Sequence, residues 1–196
     1  MDSAGGPSVA GLLLAAGAGR RFGRPKALVV AGGEPLLVRA LRALTGGGCA
    51  PVRVVLGARA EEVAALLPDP GLAVVAPDWA TGMGASLRAG LTALSELDPA
   101  PDAALVHLVD LPGVPAAVVA RLAALAAPDA VARAGYSGRP GHPVLLGRRW
   151  WPEVADSARG DRGAREWLAG RADLRLVECA DLGTGADVDT PDDLSP

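Results

Sequence analysis

Apolar runs and helical stripes take turns along the first two thirds of this chain. Residues 9–15, VAGLLLA, carry no polar side chain, as a strand buried on both faces requires. Residues 52–56, 72–76 and 103–109 repeat that strand pattern, and the last of them runs into Asp110. Between them lie stretches with the 3.6-residue period of helices: 35–44, 60–67 ending at Pro68, 84–97 and 115–127. Leu87, Leu91 and Leu94 form one such stripe. Past residue 128 the pattern loosens. Residues 143–146 and 174–179 read as strands, and 165–168 as part of a short helix.

Strand and helix in alternation predict an α/β fold of the Rossmann-like kind. This is a three-layer α/β/α sandwich with a mostly parallel central sheet. There is no long linker and no internal repeat, so residues 1–196 are expected to form one domain. Within it, the regular alternation occupies residues 1–127 and the looser pattern residues 128–196. Ligands in such folds sit at the carboxyl ends of the strands. The loop after Ala15 and the turn at Asp110 both fall there.

The chain is half apolar but only 3% aromatic, so Ala, Val and Leu must build the core. A net charge of −3 argues against a nucleic-acid partner, which would need a basic face. No apolar run reaches the ~20 residues of a membrane span, and the first residues, MDSAGGPSVAG, have no basic leader segment. Cys49 and Cys179 lack metal-ligand spacing and read as small buried hydrophobes. A cytoplasmic setting with no membrane partner is the expectation.

Against that acidic background, Arg20, Arg21, Arg24 and Lys26 fall within seven residues of a glycine-containing loop, and Lys26 is the only lysine. Neither common phosphate loop fits. The dinucleotide pattern G-x-G-x-x-G fails at Phe22, and Lys26 lies between Pro25 and Ala27 rather than in Gly-Lys-Ser/Thr. The physical logic still favours a polyphosphate: glycines let backbone N–H groups approach an anion, and cations flank it.

The stretch LLLAAGAGRRFGRPKAL (residues 12–28) resembles the L-A-A-G-x-G-x-R-M-G-x-P-K segment of sugar-type nucleotidyltransferases. Four further stretches resemble one branch, the molybdenum cofactor cytidylyltransferase family. They are DWATGMGASLRAGL (78–91), LVDLPGVP (108–115), RPGHPVLLGRRWWPEV (139–154) and GDRGAREWL (160–168). The tail ADVDTPDDL (186–194) is similar to the family's D-I-D-T-P-E-D ending. Phe22 and Gly113 depart from the family pattern, without loss of a charge.

The resemblance implies a sheet of the nucleotide-diphospho-sugar transferase type and a reaction. CTP would bind the first loop, and the phosphate of molybdenum-loaded molybdopterin would attack its α-phosphorus. Pyrophosphate would leave, giving a cytosine dinucleotide. Arg20, Lys26 and Asp110 would be catalytic. Leu14, Ala15, Ala16, Gly17, Ala18, Gly19, Arg20 and Lys26, with Gly82, Gly84, Ser86 and Arg88, would bind the nucleotide. Ala16 suits cytosine, since the related guanylyltransferases would have glycine there. Mg²⁺ would be held by Asp110 with Asp187 or Asp189. His142, Asp161 and Arg165 would face the acceptor; the alternative role for His142, between Gly141 and Pro143, is to brace a turn. Trp150 and Trp151 read as packing, and Asp192 and Asp193 as first-turn acids of a helix capped by Thr190.

Two other readings stay open. A cytidylyltransferase acting on a sugar or polyol phosphate would use the same first loop. A non-catalytic carrier that passes cofactor to a molybdenum enzyme, or to its maturation factor, would use the same binding groups without turnover.

Overall fold

A computed structural model describes residues 6–194. The reading of the extreme N-terminus therefore lies, for residues 1–5, outside the described residues. Among the described residues, nine strands and six α-helices follow one another. They are β1 (Val9–Leu14), β2 (Val30–Ala31), β3 (Glu34–Pro35), α1 (Leu36–Gly46), β4 (Val52–Leu56), α2 (Ala60–Ala64), β5 (Ala73–Val75) and α3 (Met83–Ser95). Then come β6 (Ala103–Leu108), α4 (Ala116–Ala123), β7 (Val131–Tyr136), β8 (Arg139–Gly147), α5 (Trp151–Ser157), α6 (Arg165–Ala169) and β9 (Arg175–Glu178).

Seven strands form one sheet in the order β5-β4-β1-β6-β8-β7-β9, and β2 and β3 make a separate small ribbon. β1 pairs in parallel with β4 and β6, while β8 alone runs antiparallel to its neighbours. The fold is thus α/β with a mostly parallel sheet. The chain winds from β1 outward to β4 and β5, then crosses to β6 on the other side of β1. That reversal opens a crevice at the carboxyl ends of β1 and β6, where open α/β sheets bind ligands.

The uninterrupted apolar run of β1 is explained by two cores. Val9 and Leu13 pack with α1 and α4 on one face of the sheet. Ala10, Leu12 and Leu14 pack with α3 and α5 on the other. Gly90 lets α3 lie close on the sheet: a Cβ there would stand 2.5 Å from a Leu12 methyl. Cys49 and Cys179 are both free and buried.

The structure differs from the sequence expectation in three places. Residues 131–136 form a strand the apolar pattern hides, because Arg133 and Gly135 interrupt it. Trp151–Ser157 is a helix with its proline in the first turn. The helix expected over 60–67 spans only Ala60–Ala64, ahead of Pro68. No helix among the described residues is long and apolar enough to cross a membrane.

Candidate active site

The loop after β1 is shaped by its ends. At its start, Gly19 adopts φ +59°, and a Cβ there would stand 1.9 Å from the Arg24 carbonyl oxygen. Only glycine fits that turn without strain. At its end, a 3-10 turn, Lys26–Leu28, buries Ala27, with Val29 buried just beyond. This anchor draws Lys26 inward. Its side chain is 18% exposed, whereas Arg20, Arg21 and Arg24 stand in solvent.

Lys26 meets two acids from distant parts of the chain. Its Nζ donates to Asp110 Oδ2 and to Asp189 Oδ1, each at 2.7 Å. Asp110 sits in the turn that follows β6. The tail reaches it because the buried Val188 donates its N–H to the Asp110 carbonyl at 2.9 Å. Asp189 is in turn 3.1 Å from Arg21. Burial on its own lowers the Lys26 pKa, but the hydrogen bonds and charges of the two acids outweigh it, so the ammonium is held above its ordinary range. The Lys26 hydrogen bond likewise holds Asp189 below the usual carboxylate range. Asp193 accepts from the Asp189 and Thr190 N–H groups and from the Thr190 hydroxyl, which makes it a cap of the tail turn.

Two adjoining cavities flank Asp110. One, of about 380 Å³, is lined by Ala16, Gly17, Ala18, Gly19, Arg20 and Lys26 from the first loop. Trp79, Ala80, Gly82 and Ser86 close its other side. The second, of about 300 Å³, has apolar walls from Leu87, Val106, Val144, Leu146 and Leu168. Into it come Arg133, His142, Arg162, Arg165 and Asp187. Leu14, Met83, Leu108, Asp110 and Asp161 border both.

Most residues singled out in the sequence fall on these walls; Ala15, Gly84, Arg88 and Asp189 do not. Ala15 points to the α1 side of the sheet and packs in that core, because alternation along the strand sends it away from Leu14 and Ala16. Gly84 lies against a neighbouring loop: a Cβ there would stand 2.8 Å from Arg159 N. Arg88 donates to the Ala158 carbonyl at 2.6 Å and ties α3 to that same loop. Both serve to hold the 158–163 segment against α3. Gly82 remains at the cavity, with φ +118° and its Cβ position 2.4 Å from Gly160. Asp187 and Asp189 part company: Asp189 joins the Lys26 cluster, and Asp187 lines the second cavity.

His142 is half-buried, and its pKa is pushed down to about 4 by desolvation and by the charges of Arg133 and Arg165. It is neutral at pH 7. Gly113, a departure from the resembled pattern, leaves room for Thr184, whose Oγ1 would be 2.2 Å from a Cβ there. Trp150 and Trp151 pack away from both cavities. Trp151 is buried and donates to the Leu146 carbonyl, while Trp150 and Trp167 sandwich the Arg171 guanidinium at 4.0 and 4.2 Å from its carbon. Sequence reading missed Trp79, Arg133 and Arg162.

Two carboxylate oxygens converging on one cation form a donor set suited to a hard divalent ion. Such an ion would draw its other ligands from phosphate oxygens and water. Asp110 and Asp189 are the residues that fit this part. Among the described residues no group of three or more His, Cys, Asp or Glu gathers into a metal cage.

Comparison with known proteins agrees with this architecture. Residues 11–177 match the family described as the MobA-like NTP transferase domain. A relative from Paenarthrobacter nicotinovorans, named nicotine blue oxidoreductase, is 40% identical over 94% of this chain and 93% of its own length. Rv0371c of Mycobacterium tuberculosis H37Rv, solved in complex with manganese, is 28% identical, covers 95% of each chain and superposes with a TM-score of 0.75. A nucleotidyl transferase from Methanothermobacter thermautotroptrophicus shares the fold at a TM-score of 0.79, with 21% identity over 96% of this chain and 94% of that one.

Proposed function

The chain belongs to the MobA-like NTP transferase domain family and is a nucleotidyltransferase acting on a small-molecule nucleotide. From that premise we propose that it moves CMP from CTP to the phosphate of molybdenum-loaded molybdopterin, releasing pyrophosphate. The observation that carries the reading is the Lys26–Asp110–Asp189 cluster at the junction of two cavities.

The chemistry follows from charge. Transfer at phosphorus needs positioning and neutralisation more than covalent help. In this reading the loop N–H groups of Gly17, Ala18 and Gly19 and the side chain of Arg20 cradle the triphosphate. Ser86 and Gly82 flank the base, with Trp79 beside them. Lys26 sits 2.7 Å from the Asp110 carboxylate and so can offset charge on the departing pyrophosphate. Asp110 and Asp189 would hold Mg²⁺, which supplies Lewis-acid neutralisation of phosphate charge. Asp187 faces the second cavity, where the acceptor would lie with His142, Asp161 and Arg165. The attacking oxygen is already anionic, so no general base is required. That suits a site whose only histidine is held neutral and against the acceptor wall.

The cytosine assignment rests on the sequence resemblance; the molybdopterin assignment rests on it and on two features of the second cavity, apolar walls for a flat ring and arginines for a phosphate. A sugar phosphate would have less use for such walls.

A second reading comes from the relative named nicotine blue oxidoreductase. Hydride transfer between a nucleotide cofactor and an aromatic acceptor would also fill two adjoining cavities. It gives no role to two carboxylates converging on a lysine. Assays of CTP-dependent pyrophosphate release and of NAD(P)H oxidation with nicotine blue, run on the same preparation, separate the two.

A further inference from the structure

Arg133 is a charge in the wrong place for a strand residue. Its neighbours Ala132, Ala134 and Tyr136 pack in the core on the α1 side, so Arg133 projects to the opposite, cavity-bearing face. Its Nε and Nη2 both donate to one acceptor, the Gly141 carbonyl, at 3.1 and 3.0 Å. The remaining three N–H bonds of the guanidinium have no protein acceptor among the described residues.

The second cation of this wall is Arg165, in the first turn of α6. It makes no ion pair or hydrogen bond through its side chain among the described residues. The third, Arg162, is already paired with Glu166. Both guanidiniums line one cavity, where desolvation and then the charge of Arg165 hold the Arg133 pKa below its ordinary value. Arg133 is half-buried and Arg165 exposed; Asp161 and Asp187 line the same cavity, but no hydrogen bond or ion pair joins either arginine to them among the described residues, so an anion there would complete both cations.

The sheet register places this pair next to the reaction centre. Val106 of β6 lies opposite Val144 of β8, and Val144 lies opposite Arg133 of β7. Gly141, further along β8, lines the same cavity as Asp110, Arg133 and Arg165. The carbonyl that holds Arg133 is therefore one strand away from the turn that carries Asp110.

We propose that Arg133 and Arg165 grip the attacking phosphomonoester of the acceptor and hold it as the dianion. This rests on the nucleotidyl-transfer reading, but it does not depend on which acceptor carries the phosphate. A phosphate monoester loses its second proton near pH ~6. Two guanidiniums favour the dianion, which attacks through an unprotonated oxygen. The new O–Pα bond forms as the bond from Pα to the bridging oxygen of the β-phosphate breaks. The electron pair leaves with pyrophosphate, and no proton need be removed. Arg133 and Arg165 thus do for the acceptor what Arg20 and Lys26 do for the triphosphate.

The test is a ³¹P NMR pH titration of a pterin phosphomonoester bound to the full chain, beside inorganic phosphate alone. It is run on the wild type and on R133Q, R133K and R165Q, with CTP affinity measured by calorimetry on each. In the wild type the bound ester should show its second ionisation depressed at least tenfold in proton affinity. The ester should also bind at least tenfold more tightly than inorganic phosphate. R133Q and R165Q should return the ionisation toward its free value and weaken ester binding at least tenfold, while CTP affinity stays within twofold. R133K, which keeps the charge, should fold and recover part of the shift. An unshifted ionisation in the wild type, or ester binding unchanged in R133Q and R165Q, overturns the proposal. Equal affinity for ester and inorganic phosphate also overturns it, by making the site one for free phosphate. If CTP itself does not bind the wild type, the nucleotidyl-transfer reading fails instead.

Discussion

Lys26 and Asp110 are 84 residues apart, and their side chains meet at 2.7 Å where the first loop passes the end of β6. The same ammonium holds Asp189, 163 residues away, at the same distance. One lysine therefore joins the loop after β1, the turn after β6 and the tail. In the ligand-free molecule it neutralises the acids that a divalent ion would use.

Replacing Lys26 by Met should separate its two roles. Turnover should fall by a factor of 10² or more, the loss typical of one well-placed electrostatic group. Mn²⁺ binding without nucleotide, followed by electron paramagnetic resonance, should tighten, because the ammonium no longer competes for Asp110 and Asp189. Weaker Mn²⁺ binding in the variant would mean that Lys26 orders the carboxylates instead.

Acid should weaken the tail docking in a defined direction. Asp189 is held below its ordinary carboxylate pKa, first by the Lys26 hydrogen bond and then by the Lys26 charge. Its contribution to stability is present above that ordinary value and is lost as pH falls through the lowered one. Lys26, held above its ordinary value, keeps its contribution until strongly alkaline pH. An Asp189→Asn variant should therefore show less loss of stability below pH ~4 than the wild type. Urea unfolding across pH 3–6 measures this, and identical curves would contradict it.

His107 supplies a larger acid effect. It lies fully buried in β6, neither ring nitrogen has a hydrogen-bond partner, and desolvation lowers its pKa to about 3. Between pH 6.5 and that value the unfolded chain binds a proton that the folded chain refuses, so stability falls as pH falls. At two pH units below the ordinary value the loss is about 2–3 kcal/mol. His107→Leu should remove that share of the acid dependence and leave stability at pH 7 equal or higher, as read from chemical denaturation. A variant with the wild-type slope would assign the acid dependence elsewhere.

Gly82→Ala should loosen the nucleotide cavity. The new methyl meets Gly160 backbone at 2.4 Å with φ at +118°. A cost of about 1–3 kcal/mol in thermal stability is expected from strain and overpacking. CTP affinity should drop with it, because the 158–163 loop and Gly82 move together. Unchanged melting would show that the loop yields freely.

Much of this was legible in the sequence, for physical reasons that differ from place to place. β1 could be read because a strand covered on both faces has no polar position at all. The four cations of the loop that follows were visible as a cluster in an acidic chain, but not which of them turns inward. The β7 strand could not, since its one charge serves a cavity rather than solvent and so breaks the alternation. Ala15, Gly84 and Arg88 were misplaced for one shared reason: a motif fixes spacing along the chain, while the side of the sheet or helix is fixed by packing. The inward turn of Lys26 depends on Asp189, whose approach is set by the docking of Val188 and is invisible to local pattern.

The central claim is that Asp110 and its partners drive nucleotidyl transfer, and pyrophosphate release tests it most directly. The assay uses CTP, GTP and ATP in turn, each with Mg²⁺ and molybdenum-loaded molybdopterin, on the wild type and on Asp110→Asn. The account predicts release with CTP, falling by at least about 10²-fold in the variant. Release with another nucleotide would keep the chemistry and overturn the reading of Ala16. No release with any nucleotide, or release that survives the loss of Asp110, would contradict the account.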